Sequence, residues 1–188
     1  MKKVIIINDH GAPMMSMANK RILEDVKAQL QDVEIVTLAE LYPDFKIDVE
    51  KEQTRLLAAD LIVFEYPIWW YSAPSILKKY VEDVFAMGFA FGPGGDKLKG
   101  KKFIDSFTCG APEKNYLPGA SGEDIEKMAL PMKATCWLCG IEYLGQVGTY
   151  GSMYYGLDTQ EELDAVNAKM DDHAAKLINL IKSVCHGN

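Results

Sequence analysis

The sequence predicts an α/β domain in three layers, a parallel sheet sandwiched between helices. Two observations lead there: strand and helix signals alternate to the end of the chain, and the strand signals are short continuous apolar runs bounded by turn residues. The length of 188 residues suits one domain spanning residues 1–188. A chain of that size buries roughly 70% of the surface it exposes when unfolded.

Val4 to Asn8 is the first apolar run, as expected of a strand covered on both faces. Ser16 to Leu30 reads as a helix, with Ile22, Leu23, Val26 and Leu30 on one face. Val33 to Leu38 is a second strand, Glu50 to Ala59 a short helix, and Asp60 to Tyr66 a third, strongly apolar strand. Pro74 to Phe85 is a helix with proline in its first turn. Lys101 to Thr108 is the fourth strand, and a long irregular stretch runs from Cys109 to Gly122. A helix from Glu123 to Cys139 leads to a fifth strand, Glu142 to Gly148. The last helix starts at the cap candidate Thr159 and ends near Val184.

Helices between successive strands imply right-handed crossovers. The count fits the doubly wound order 2-1-3-4-5, whose ligand crevice lies beyond the carboxyl ends of the first and third strands. Response-regulator-like domains share that order, so function has to be read from the loops.

Composition narrows the classes. A net charge of −7 disfavours a nucleic-acid partner. The apolar run behind Met1-Lys2-Lys3 is too short for a signal core or a membrane span, so direct membrane insertion is not expected. Four cysteines without a secretory signal point to free thiols and to the cytoplasm.

Three loops fall at the carboxyl edge of the sheet. The first, Asp9 to Asn19, lacks both the G-x-G-x-x-G and the G-x-x-x-x-G-K-[ST] fingerprints. Ser16 can cap the helix while the N–H groups of its first turn receive an anion such as phosphate, with His10 and Asn19 as further donors. An ordinary capped helix fits these residues equally well. The second loop, Glu65 to Pro74, carries Trp69, Trp70 and Tyr71 in succession. Three aromatics at a strand's exit do not all enter one core, so at least one should face the crevice and stack on a flat ring. A hydrophobic lid or a dimer contact is the alternative. The third loop, Thr108 to Gly122, is long for a compact domain, and its small residues let a ring system approach the backbone.

At these loops the sequence resembles the flavodoxin-like NAD(P)H:quinone oxidoreductases, a group that includes DT-diaphorase, the modulator-of-drug-activity reductases and the ancillary subunits of glutathione-gated potassium-efflux systems. The resemblance is carried by Pro67-Ile68-Trp69-Trp70-Tyr71-Ser72-Ala73-Pro74 with Leu77 to Phe85, by Gly88 to Gly92, and by Ser16-Met17-Ala18-Asn19. Leu41-Tyr42-Pro43-Asp44-Phe45 is most similar to the potassium-efflux branch.

The resemblance implies a flavodoxin-like fold and a bound flavin, FMN or alternatively FAD, reduced by NAD(P)H and reoxidised by a quinone in ping-pong fashion. It assigns the flavin phosphate to His10, Ser16 and Asn19, with Met17 and Ala18 also among the cofactor-binding residues. The ring would be lined by Pro67, Ile68, Trp69, Trp70 and Tyr71, with its other edge on Thr108, Cys109, Gly110 and Ala111. A homodimer is implied, with Phe89 and Phe91 completing the partner's substrate site. Where the family often has a tyrosine and a histidine, alignment on Gly119 and Gly122 puts Asn115 and Ser121. Tyr116, one residue away, then becomes the candidate proton donor and substrate contact. Two other roles are open: a regulatory subunit docked on a membrane transporter, and a one-electron carrier.

Other residues invite blander readings. Cys136 and Cys139 have redox-motif spacing but end an apolar helix, which favours burial. Met14, Met15 and Met17 form either a soft wall or plain packing. His173 and His186 show no partner in sequence, the acidic residues of the last helix read as a solvated face, and no metal site is expected.

Overall fold

The computed structural model describes residues 2–10, 16–117 and 125–186. Five parallel strands, β1 (Val4–Asn8), β2 (Val33–Thr37), β3 (Leu61–Pro67), β4 (Lys102–Cys109) and β5 (Glu142–Tyr150), form one sheet in the order β2-β1-β3-β4-β5. The expected topology holds. The helices are α1 (Met17–Gln29), α2 (Leu38–Leu41), α3 (Val49–Ala58), α4 (Ser75–Val84), α5 (Ile125–Cys139) and α6 (Gln160–His186).

Pleat alternation sorts the sheet's side chains between two cores. Ile5, Ile7, Phe64, Phe103 and Phe107 face Leu56, Ile76, Leu77 and Tyr80 on one side. Val4, Ile6, Leu61, Val63 and Ile104 face Ile22 and Val26 of α1 and Met170, Leu177, Ile178 and Ile181 of α6 on the other. Both faces of β1 and β3 are therefore covered, which is why these strands read as unbroken apolar runs.

Element ends differ from the sequence reading by a few residues. Leu38 leaves β2 to open α2, whose four residues are too few to show a helical period. Asp48 caps α3, its carboxylate accepting from the Lys51 N–H. Thr159 caps α6 with Glu162 in a reciprocal box: Thr159 Oγ1 accepts from Glu162 N at 3.2 Å and Glu162 Oε2 from Thr159 N at 3.0 Å. The irregular stretch after β4 contains one 3₁₀ turn, Glu113–Tyr116. Ser16 stands at the N-cap of α1, but its side chain makes no capping bond, contrary to the role expected of it.

Arg21 on α1 grips Asp171 on α6 with two hydrogen bonds, of 2.6 and 3.0 Å, so the acidic face of α6 is partly an inter-helix tie. Cys136 and Cys139 are buried and unpaired, as expected. Among the described residues no helix is long and apolar enough to cross a membrane, and no cluster of metal-binding side chains forms.

Candidate functional site

The carboxyl ends of β1, β3 and β4 converge where the strand order reverses. A crevice of about 380 Å³ opens there. Its lining joins His10, the first turn of α1 (Met17, Ala18, Asn19), the exit of β3 (Pro67, Ile68, Trp69), Thr108 and Gly110 after β4, and Ser152 to Tyr155 after β5.

The α1 end suits an anion. The first N–H groups of a helix have no intrahelical acceptor, and here no acidic residue in the first turn opposes a negative ligand. Asn19 is almost wholly buried; its Oδ1 accepts from Thr108 Oγ1 at 2.8 Å, while its Nδ2 has no acceptor among the described residues. A buried donor left open costs about 1–3 kcal/mol. Lining a crevice, it is a place for a ligand oxygen.

The β3 end suits a flat ring. Ile68 N donates to Thr108 O at 2.7 Å, which closes the floor between β3 and β4. Beyond it the chain reverses tightly: Trp69 N donates to Ser72 O at 2.8 Å and Ser72 N to Trp69 O at 3.2 Å. Trp70 and Tyr71 occupy the two central positions with φ of 51° and 63°. That left-handed conformation is unusual for bulky residues and costs about 1–3 kcal/mol each, strain of the kind that gathers at functional loops. The turn sends the rings to different places. Trp69 is 38% exposed, lines the crevice and meets His10 edge-on at 5.6 Å between centroids. Trp70 is 85% exposed and Tyr71 57%, and neither lines this crevice, contrary to expectation.

The third loop divides as well. Thr108 and Gly110 line the crevice, but the Cys109 side chain turns to the opposite face of the sheet and is fully buried. Pleat alternation requires this, because neighbours on a strand point to opposite faces. Burial pushes the Cys109 thiol up to about 12, so it is no nucleophile. Its carbonyl holds the far wall, accepting from Ser152 N at 3.0 Å and Ser152 Oγ at 2.9 Å. Ala111 O does the same for Gly151 N at 2.9 Å.

Tyr116 packs beside that thiol and against Tyr150, 5.5 Å between centroids. Burial, then the Cys109 thiol, pushes its phenol up to about 12, which keeps it a proton carrier at neutral pH. It stands outside the crevice lining, as does the exposed Asn115. Phe89 is only 9% exposed and, with the half-buried Phe91, packs against the chain's own core. Ser121, Met14 and Met15 lie outside the described residues.

A larger cavity of about 520 Å³ lies alongside, sharing His10 and bounded by Asn8, Ser16, Lys20, Lys27, Thr37 and Glu40. It lacks an aromatic platform, so the smaller, more apolar crevice is the better ring site. Ser152 to Tyr155 were missed in the sequence. They directly follow β5 at the same sheet edge as the other loops, and that position was the available signal.

The family described as "Flavodoxin-like fold" matches residues 2–174. The chain belongs to this family. The flavodoxin-like chain is 44% identical over 141 residues to the glutathione-regulated potassium-efflux system ancillary protein KefF of Enterobacter sp. (strain 638), covering 75% of this chain and 79% of the relative. Among solved structures it is similar to general stress protein 14 of Treponema denticola, a complex with FMN: TM-score 0.84, 27% identity, covering 95% of this chain and 99% of that one. An NADPH-quinone reductase from P. pentosaceus superposes at TM-score 0.73 over 91% of this chain and 97% of that one, and at 24% identity it speaks for the fold alone.

Proposed function

We propose that this flavodoxin-like chain is an FMN-dependent NAD(P)H:quinone oxidoreductase of the cytoplasm, working as a homodimer. The observation that carries the reading is one crevice with an open buried donor, Asn19 Nδ2, beside a helix start at one end and the Ile68–Trp69 platform at the other. The residues fit the group: His10, Ser16 and Asn19 with the first turn of α1 would hold the phosphate, and Ile68, Trp69, Thr108 and Gly110 the ring. The FMN complex of general stress protein 14 supports FMN over FAD.

When bound, the flavin supplies hydride acceptance and release. The chain's part is orientation and field. Trp69 and Ile68 hold a flat substrate in stacking distance, and the backbone between β3 and β4 excludes water from beneath it. Nicotinamide and quinone use this same surface in turn, which gives ping-pong exchange and explains the absence of a separate dinucleotide fingerprint. Tyr116 keeps its proton at neutral pH and stands one residue layer away, with Tyr71 close enough to affect its phenol. It is the proposed donor, reached through the partner-facing edge of the turn. Trp70 and Tyr71 are exposed apolar groups on that turn and fit the dimer contact.

Heat release of the bound flavin identifies the cofactor, and anaerobic stopped-flow mixing with NADPH and NADH tests the reaction. A bound flavin that stays oxidised with both nucleotides rejects the reductase reading.

A second reading, an ancillary subunit docked on a membrane transporter, is favoured by the 44% identity to KefF. Capture by the cytoplasmic domain of a potassium-efflux transporter, with a change in ion flux, supports it. Normal turnover without capture removes it.

A further inference from the structure

The larger cavity beside the crevice, about 520 Å³, falls in the size range of small-molecule sites. Its floor is the end of the β1–β2 ladder, where Asn8 and Thr37 are register partners. One wall is a single face of α1, on which Lys20, Leu23, Glu24 and Lys27 recur at helical spacing. Ala39 and Glu40 of α2 also line it.

Two observations point to an occupant. Asn8 is only 6% exposed; its Nδ2 donates to Thr37 Oγ1 at 3.3 Å, while its Oδ1 is buried without a donor among the described residues. A buried amide oxygen in that state is costly, and a ligand N–H satisfies it. The second observation is charge. Lys20, Glu24, Lys27 and Glu40 bring two ammonium and two carboxylate groups to one cavity, and among the described residues no ion pair involves any of them. That balance selects the class of ligand. A nucleotide would meet Glu24 and Glu40 as well as the lysines, and His10 is the one described aromatic side chain of the lining. A molecule of both signs finds a complement for each: its ammonium at Glu24 or Glu40, its carboxylate at Lys20 or Lys27, and an amide N–H at Asn8 Oδ1. Leu23, Ile35 and Ala39 supply apolar contact for its methylene groups. Length agrees. Lys20 and Lys27 stand about 10 Å apart along α1, and three extended residues span about the same.

We infer that this second cavity binds a short zwitterionic peptide, about three residues long, held by its charged ends and by one amide N–H on Asn8. Among the described residues it shares only His10 with the ring crevice, so it stands whether or not a flavin binds there.

The test is titration of the ¹⁵N-labelled protein, as purified, with triglycine, followed by nuclear magnetic resonance. Saturable shifts should appear at Asn8, Thr37 and Glu40, the Asn8 side-chain amide included. N-acetyltriglycine and triglycinamide each lack one of the two charges and should bind about tenfold more weakly. Lys27→Glu and Glu40→Lys, at exposed positions, should each weaken triglycine to a similar degree while leaving the rest of the spectrum in place. The two capped peptides on the wild-type protein decide the matter if a variant does not fold. Triglycine without saturable shifts at these residues, or binding that is indifferent to both caps, overturns the inference. Saturable shifts at the same residues with AMP, at lower concentration than triglycine requires, overturn the class of ligand assigned. Flavin content measured on the same sample reports on the reductase reading separately, since neither result depends on the other.

Discussion

Asn19 offers the sharpest separation between stability and binding. Its Nδ2 is a buried donor without an acceptor among the described residues, while its Oδ1 serves Thr108. In Asn19→Ala the open donor disappears and the Thr108 hydroxyl rotates to another acceptor, so two effects of about 1 kcal/mol oppose each other. Stability without ligand should change by less than about 1 kcal/mol. The bound state loses a hydrogen bond to a charged oxygen, about 1.5–3 kcal/mol, or roughly ten- to a hundredfold in Kd. Asn19→Asp keeps the shape and adds repulsion: two negative charges about 4 Å apart at an effective dielectric near 20 cost about 4 kcal/mol. Its loss should therefore exceed that of the alanine variant by more than tenfold. Fluorescence titration with FMN measures Kd, thermal unfolding of the flavin-free protein measures stability, and riboflavin, without the phosphate, is the control. Equal FMN affinity in wild type and both variants, or equal losses for FMN and riboflavin, refutes the assignment of this donor to the phosphate.

Three further outcomes follow from the packing and the buried charges. Burial first, and then the Glu65 charge, raises the Asp105 carboxyl from 3.8 to about 6, against a lowering bond from Tyr66. Its share of stability is present below the unfolded pKa and is lost as pH rises through about 6, up to about 3 kcal/mol. Asp105→Asn, which still accepts from Tyr66, should flatten that loss in denaturant titrations between acid and neutral pH; an unchanged slope counts against it. A Cβ on Gly148 would stand 2.4 Å from Phe107 Cζ inside the sheet, so Gly148→Ala should cost about 1–3 kcal/mol and lower Tm by several degrees. Trp70→Gly removes an exposed ring from a left-handed position, which should leave protomer stability within about 1 kcal/mol of wild type while weakening self-association in sedimentation. Unaltered association would argue that the turn does not face a second copy.

The sequence by itself determined the layer order and the sheet edge that carries the site. Apolar runs such as Ile62-Val63-Phe64 and helical faces such as Ile22-Val26 are local patterns, and alternation with crossovers leaves few arrangements. The three loops could be placed for the same reason. What only the tertiary structure decided depends on side-chain direction and on contacts between distant residues. Trp69 turns in and Trp70 out because the two central residues of a tight turn adopt positive φ, a property no composition of aromatics announces. Cys109 leaves the crevice because its strand alternates faces and β4 continues one residue further than its sequence pattern suggested. Ser152 to Tyr155 join the lining because β5 sits beside β4. His173, without a partner in the linear sequence, finds Ser106 at a separation of 67 residues, and Glu65 farther still, because α6 returns across the sheet. Those pairings exist only once the chain has closed on itself, since nothing within a few residues of either partner encodes the distance between them.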